Sequence, residues 1–436
     1  MIAASTPSRP GETIRPTRVA RVSWALYDWA NSSFAAVVST FVFPAYLARQ
    51  VAADPTAGTA QWGYTVGIAG IVVALLAPVL GAVADRLGRR KPLLAGFTLL
   101  CVLSTSALWW AAPGEDWLVP ALLLAGLATV AAELAFVFYN AMLPSLTSGD
   151  RLGRWSGWAW GLGYAGGIAS LSLALFGFVR EDAWFGLPRD EAEHVRGTFV
   201  LVAVWYGVFA LPLFLLTPDE PAAGRGIGRA VREGLRQLRQ LLGEIRHYSA
   251  ILRFLVARIF FIDGLAAIFT FGGIYAAGTF GMNEEGVLLF GIALNVTAGV
   301  GAAGFAWIDD WIGGKRTILI SLVGLLLTGT ALLVVQATTW FWAFGMTLGL
   351  FVGPVQAAGR SYMARVAPAH LRNQMFGLFA FSGKATTFAA PLLVGWVTGL
   401  FGSQRAGMSV IMVFLLVGFL IMWTVPADRR AESAAA

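Results

Sequence analysis

Stretches of about twenty residues without a charge recur along the whole chain, each long enough to cross a hydrocarbon core of about 30 Å as a helix. No water reaches the middle of a bilayer, so every backbone N–H and C=O there must bond within the protein, and only helices or a closed barrel can span. The runs are uniformly apolar and do not alternate at every second residue, which selects helices over a barrel. Composition agrees: 57% of the 436 residues are hydrophobic and 13% charged, where a soluble domain carries about a quarter charged residues. The chain reads as an all-α, multi-pass integral membrane protein.

The spans are expected at 24–48, 61–84, 92–112, 117–143, 155–178, 197–216, 252–279, 286–308, 317–336, 338–364, 373–400 and 406–425, twelve in all. The net charge of +7 would suit nucleic acid if it were clustered on one face, but the basic residues lie between spans. With both termini inside, the cytoplasmic segments hold most of them, including Arg9, Arg15, Arg18, Arg21, Arg86, Arg89, Arg90 and Lys91. Arg49, Arg180, Arg189, Arg196 and Arg405 face outward, and this bias sets the orientation. Residues 1–23 read as a cytoplasmic tail with no cleaved signal, and 426–436 as a second tail. The location implied is the plasma (inner) membrane. Cys101 stands alone inside an apolar run, which excludes an internal disulfide and a thiolate metal site.

The longest break in the pattern, 218–250, opens with Pro218-Asp-Glu-Pro221 and separates a six-span bundle, 24–217, from a second, 251–425. Ile227, Val231, Leu235, Leu238, Leu242 and Ile245 recur in it at spacings of three and four among arginines. This suits either an amphipathic helix on anionic lipid or a solvated linker helix. The halves echo one another. Asp85-Arg-Leu-Gly88-Arg-Arg90-Lys91 follows the second span of one, and Asp310-Trp-Ile-Gly313-Gly-Lys315-Arg316 follows the second span of the other; Asp28 and Asp263 open their first spans. Such duplication is the plan of transporters whose halves rock about a midplane site.

The stretch Gly81-Ala-Val-Ala-Asp85-Arg86-Leu-Gly88-Arg89-Arg90-Lys91 resembles the Gly-x-Leu-Ala-Asp-Arg-x-Gly-Arg-Lys motif between spans two and three of the major facilitator superfamily. A basic turn with a carboxylate can bond helix termini of the opposite half in one state and release them in another. Gly81, Asp85, Arg86, Gly88, Arg89 and Arg90 are therefore expected to form a cytoplasmic gate, with Asp310, Gly313 and Lys315 as a degraded second copy that carries Trp311 where the motif has arginine. The segments SWALYDWANSSF, YNAMLPSL, GYAGG, IDGLAAIFTFGGIYAAG, GPVQAAGRSYMARVAP and FGLFAFSGKAT are similar to a bacterial branch labelled "unknown major facilitator", related to fungal autophagy-linked vacuolar amino-acid effluxers. The resemblance implies the twelve-helix facilitator fold and makes amino-acid export the first substrate class to test.

Polar residues within the spans mark the candidate site, because an intramembrane charge costs several kcal/mol unless it faces water, the bundle interior or a partner. Tyr27 and Asp28 lie four and three residues before Asn31, and the three are expected to share a polar face, serving either transport chemistry or a structural cluster. Glu133, past the middle of span four, is the candidate proton carrier, with a static ion pair to Lys384 as the alternative; Lys384 could instead hold a substrate carboxylate. Asp263 mirrors Asp28, while Asn295, Gln356, Asn140 and Tyr275 offer uncharged hydrogen bonds. Arg258 and Arg360, near cytoplasmic ends, are expected to snorkel.

Other patterns carry no chemistry. Gly161-Leu-Gly163-Tyr-Ala-Gly166 matches a dinucleotide fingerprint but sits within a span with no strand before it, so it reads as a helix-packing face. Gly383-Lys384 lacks the first glycine of a phosphate loop, leaving ATP hydrolysis without support. His194, His247 and His370 fall in three different loops and cannot form a metal site. The expected partners are a small polar solute, protons and membrane lipids, with no nucleic acid, no ATP and no cofactor. The expected function is secondary active transport, with efflux of amino acids first and proton coupling. A non-transporting membrane protein or a lipid scramblase on the same fold is the alternative, and an enzyme is disfavoured because no nucleophile with a base appears.

Overall fold

The computed structural model describes residues 17–87, 90–147, 152–219, 243, 248–367, 375, 378–379, 382–383 and 386–427, with the side chains at 78–79, 81–87, 144, 152–154, 156–157, 306 and 310 outside that description. Within it every regular element is helical. The helices are α1 Arg18–Val51, α2 Pro55–Leu87, α3 Lys91–Ala107, α4 Leu118–Leu146, α5 Leu152–Ala174, α6 Glu193–Leu216, α7 Ser249–Phe280, α8 Glu284–Ile312, α9 Gly314–Val334, α10 Thr338–Val366, α11 Ala389–Phe401 and α12 Gln404–Trp423. Eleven are long and apolar enough to cross a membrane; α11 is a shorter apolar helix preceded by turns at 386–388. Span eleven is thus broken where an unbroken helix was expected, and α1 starts six residues before the expected boundary. The segment 220–242, where the amphipathic linker was expected, lies outside the described residues.

Local chemistry places the helix ends. Thr17 caps α1 by accepting the Ala20 N–H at 3.1 Å, Asp54 caps α2 by accepting from Thr56 and Ala57 at 2.7 and 2.9 Å, and Asn283 caps α8 at 2.9 Å. Gly313, with φ 86°, makes the sharp exit from α8 into α9 that a side chain would resist. Span one is not a plain α-helix. Phe34–Phe41 and Leu47–Val51 are π-helical, so the helix is wider and underwound there.

The carbonyls left open at helix ends are satisfied by cations and phenols in a pattern that repeats between halves. At the face carrying the chain ends, Lys91 Nζ donates to Thr217 O at 2.6 Å, and Lys315 Nζ donates to Trp423 O at 3.0 Å. At the far face, Arg196 Nη1 donates to Trp109 O at 2.9 Å and Arg405 Nη1 to Leu333 O at 2.6 Å. Tyr46 and Tyr275, on the first span of each half, donate to Ala111 O and Leu332 O at 2.6 and 3.1 Å. In each half, therefore, spans one and six grip the end of span three by the same chemistry, the physical trace of the duplication read from the sequence.

These contacts bear on the basic turns. Arg90 donates to Ala141 O at 2.5 Å, Asp219 accepts the backbone N–H of Arg90 at 3.0 Å, and Lys91 and Lys315 bond the last carbonyls of their own halves. For Arg90 and Lys315 these bonds tie helices within a half, where bonds across the halves were expected. Gly88 and Arg89, and the side chains of Gly81, Asp85, Arg86 and Asp310, lie outside the described residues. Asp309, in the last turn of α8, is held by Arg365 at 3.2 Å and by the Ser361 hydroxyl at 2.6 Å. Both members of the ion pair are largely buried, so removing one strands the other. Asp309→Asn is expected to cost about 1–3 kcal/mol, read as a lowered melting midpoint in detergent; an unchanged midpoint would show the pair to be energetically neutral.

The halves meet tightly on the far side. A Cβ added at Gly63 of α2 would lie 2.7 Å from both Gly395 Cα and Pro391 O of α11, so the two backbones touch. Gly273 of α7 likewise receives Thr40 O and Phe41 Cα of the π-helical stretch, at 2.7 and 2.9 Å from the position of a Cβ. Polar bonds close the rim. Arg49 donates to Met282 O, Gln50 to Glu284 at 2.7 Å, and the Gln404 amide to Thr59 at 2.7 Å and Pro55 O at 3.1 Å, while Arg180 reaches Glu285 at 4.0 Å.

Candidate functional site

Between the halves, on the side carrying the chain ends, the structure brings together α1, α5 and α10. Asp28 lies on α1 and is 7% exposed. Its carboxylate is set against α5 at Gly163, where a Cβ would fall 3.1 Å from the carboxylate oxygen and 2.9 Å from Ser32 Oγ. The missing side chain leaves the carboxylate its space. One turn along, Gly166 takes the backbone of Trp29 at 2.6 Å, so two glycines of the 161–166 pattern do form a packing face; Gly161 has no neighbour within 4 Å. Among the described residues the Asp28 carboxylate accepts no hydrogen bond; only its backbone carbonyl is used, by Ser32 at 2.8 Å.

The predicted polar face of Tyr27, Asp28 and Asn31 divides. Tyr27 turns into the interior of its own half, fully buried, with its hydroxyl on Thr98 at 2.6 Å and Tyr206 at 2.9 Å and its ring stacked on Tyr139. A one-residue step turns a helix by about 100°, enough to put Tyr27 and Asp28 on different neighbours. Asn31 is partly exposed, and its Oδ1 is buried without a partner.

The echo of Asp28 has a different task. Asp263 is 1% exposed, and its Oδ2 accepts the Ala390 N–H at 3.2 Å, at the start of α11 where span eleven resumes as a helix. It satisfies an open N–H at a buried helix start, while among the described residues its Oδ1 has no partner. Each aspartate thus faces the fifth span of its own half, one against a glycine gap and the other against a helix start.

The remaining predicted residues are dispersed. Glu133 is partly exposed on α4. Asn295 donates to Gly291 O of its own helix at 2.8 Å and Asn140 to Phe136 O at 2.9 Å, and Gln356 is partly exposed on α10. Lys384 lies outside the described residues, so neither its pairing with Glu133 nor its carboxylate role has a geometry.

Two arginines expected to snorkel do not. Arg258 begins nine residues into α7, about 14 Å along the helix. It bonds Phe379 O at 2.7 Å and Ser382 Oγ at 2.8 Å and lies 3.7 Å from the centre of the Phe379 ring. Arg360, exposed on α10, reaches across to the other half and sits 5.3 Å from the centre of the Trp160 ring on α5. Tyr164 follows one turn beyond Trp160 on the same helix, next to Gly163. The signal available in the sequence was depth alone: α7 starts at Ser249, placing Arg258 too far from a helix end for its side chain to reach the interface.

Duplicated six-helix bundles, with a buried carboxylate on one and a guanidinium of the other reaching across to an aromatic ring, fit the architecture of a solute transporter. The chain is similar to solved transporters over nearly its whole length. With a D-xylose–proton symporter it shares a TM-score of 0.66 at 14% identity, over 94% of this chain and 97% of that one. With a bacterial homologue of the human lysosomal transporter Spinster, in an inward-facing conformation, the values are 0.65 and 15%, over 93% and 96%. Among sequences, an uncharacterized transporter of the major facilitator type, YxiO of Bacillus subtilis, is 28% identical over 94% of this chain and 95% of its own length. Autophagy-related protein 22 of Coccidioides immitis is 21% identical over 98% of this chain and 89% of that protein. The protein is a multi-pass transporter of the major facilitator type and not an enzyme. The family model described as "Vacuole effluxer Atg22 like" matches residues 57–154 and 147–435, and the chain belongs to that family.

Proposed function

We propose that the protein moves amino acids across the membrane by alternating access, in the export direction and coupled to protons, with the solute held between the halves beside Asp28 and Arg360. The observation that carries this reading is that two opposite charges meet one stripe of α5, where Gly163 leaves the gap beside Asp28 and Trp160 underlies Arg360. Asp28 stands on the first half and Arg360 on the second, a complement to a zwitterion. The tight seam on the far side supports a state closed there and open toward the chain ends, the face that charge bias makes cytoplasmic. The family description, which names a vacuole effluxer, supports export.

The test is counterflow in proteoliposomes: preloaded unlabelled amino acid should drive uptake of the labelled form, and failure with all twenty in well-folded protein would remove amino acids as the solute. Proton coupling rests on Glu133, a carboxylate within a span. Glu133→Gln is expected to abolish accumulation driven by a pH gradient while leaving counterflow, which needs no net proton movement. Wild-type accumulation in that variant would exclude Glu133 as the carrier.

A further inference from the structure

We infer that Arg360 is the residue that recognises the solute's carboxylate, with Asp28 receiving its ammonium group, so that one solute molecule ties the second half to the first. This rests on the reading of a zwitterion held between the halves.

Other arginines of the spans are committed elsewhere. Arg365 pairs with Asp309, Arg258 with Phe379 O and Ser382, and Arg405 and Arg196 with the ends of the third spans. Arg360 meets only the face of Trp160, and among the described residues no carboxylate pairs with it. It is nevertheless in a span, six residues before the end of α10, and its guanidinium reaches an aromatic ring of the opposite half. A guanidinium presents five donors in a planar fork suited to a carboxylate, and a charge-assisted bidentate pair is stronger than contact with a ring face. Trp160 therefore acts as a resting place that a carboxylate can displace.

One helix organises both ends of the solute. On α5, Trp160 underlies Arg360 and Gly163 leaves the gap beside Asp28. Residues at i and i+3 share a helix face, so the two poles stand along a single stripe.

The experiment compares L-amino acids with their amides and their N-acetyl derivatives, by calorimetric binding to the purified full chain. The wild type is expected to bind the amino acid and to reject the amide by about tenfold or more, since the amide cannot form the charge-assisted pair. Arg360→Gln should lose that preference and bind acid and amide alike, while Arg360→Lys, which keeps the charge but not the fork, should retain part of it. Asp28→Asn should lose instead the preference for a free ammonium over N-acetyl. A merely structural role for Arg360 would weaken all ligands together without changing their order. Wild-type binding of an amino acid with an unchanged acid-over-amide ratio in Arg360→Gln would overturn the inference and leave the transport reading standing. Wild-type protein that binds no amino acid would remove both.

Discussion

Gly63→Val is expected to force the halves apart on the far side of the membrane and shift the protein toward a far-open state. At this position the neighbours are backbone atoms, Gly395 Cα and Pro391 O, each 2.7 Å from where a Cβ would stand, and backbone cannot swing aside as a side chain can. Valine adds two methyl groups to that clash. Overpacking of this kind costs about 1–3 kcal/mol, and because it is confined to the closed seam, the conformational equilibrium moves by roughly 5- to 150-fold. Spin labels at Ala53 and Phe401, both exposed at the far face, should report a longer distance in the variant. Gly96→Val, at a helix position with no atom within 4 Å, should leave the distance unchanged. A wild-type distance in Gly63→Val would show that the two helices slide past one another without opening.

Asp28→Asn is expected to remove transport while leaving the fold intact. Among the described residues the carboxylate makes no hydrogen bond that the amide would break, so stability should change little, yet the charge that would hold a solute ammonium is gone. Losing one partner of a buried charge pair costs about 2–4 kcal/mol, or roughly 30- to 1000-fold in affinity. The matched change at Asp263 should behave in the opposite way. Asp263→Asn keeps an oxygen for the Ala390 N–H, whereas Asp263→Ala leaves the start of α11 uncapped and should lower stability by about 1 kcal/mol. Initial rates in proteoliposomes and melting midpoints in detergent separate the two. Equal loss of stability at both positions would make Asp28 a structural residue like its echo.

The far-face seam also explains why glycines outnumber what loops would need. Gly63, Gly273 and Gly395 each stand where one half's backbone touches the other's. In lipid the helices gain nothing from burying apolar surface against each other, so close backbone packing carries the association instead. Substitutions at these positions act on the balance of states, whereas those at Asp309 or Arg365 act within one half.

Membrane residence, the twelve-span plan and the duplication were legible in the residues alone, because a span is a local property: some twenty apolar residues satisfy a bilayer whatever their neighbours are. The depth of Asp28 and its echo at Asp263 could be read the same way. Which side each polar residue faces could not. The spans are apolar all round, so they carry little record of their orientation, and Tyr27 and Asp28, adjacent in the chain, part toward different helices. The break before α11 falls at the polar stretch Ser382-Gly-Lys384-Ala-Thr386-Thr387 inside the expected span, and its cap, Asp263, comes from 127 residues away. Arg360 and Trp160 are separated by 200 positions and lie in different halves, so only the tertiary structure joins them. Hydrophobicity sorts the chain into the bilayer residue by residue, but a binding site for a zwitterion needs opposite charges brought from distant segments, and that is settled by which helices touch.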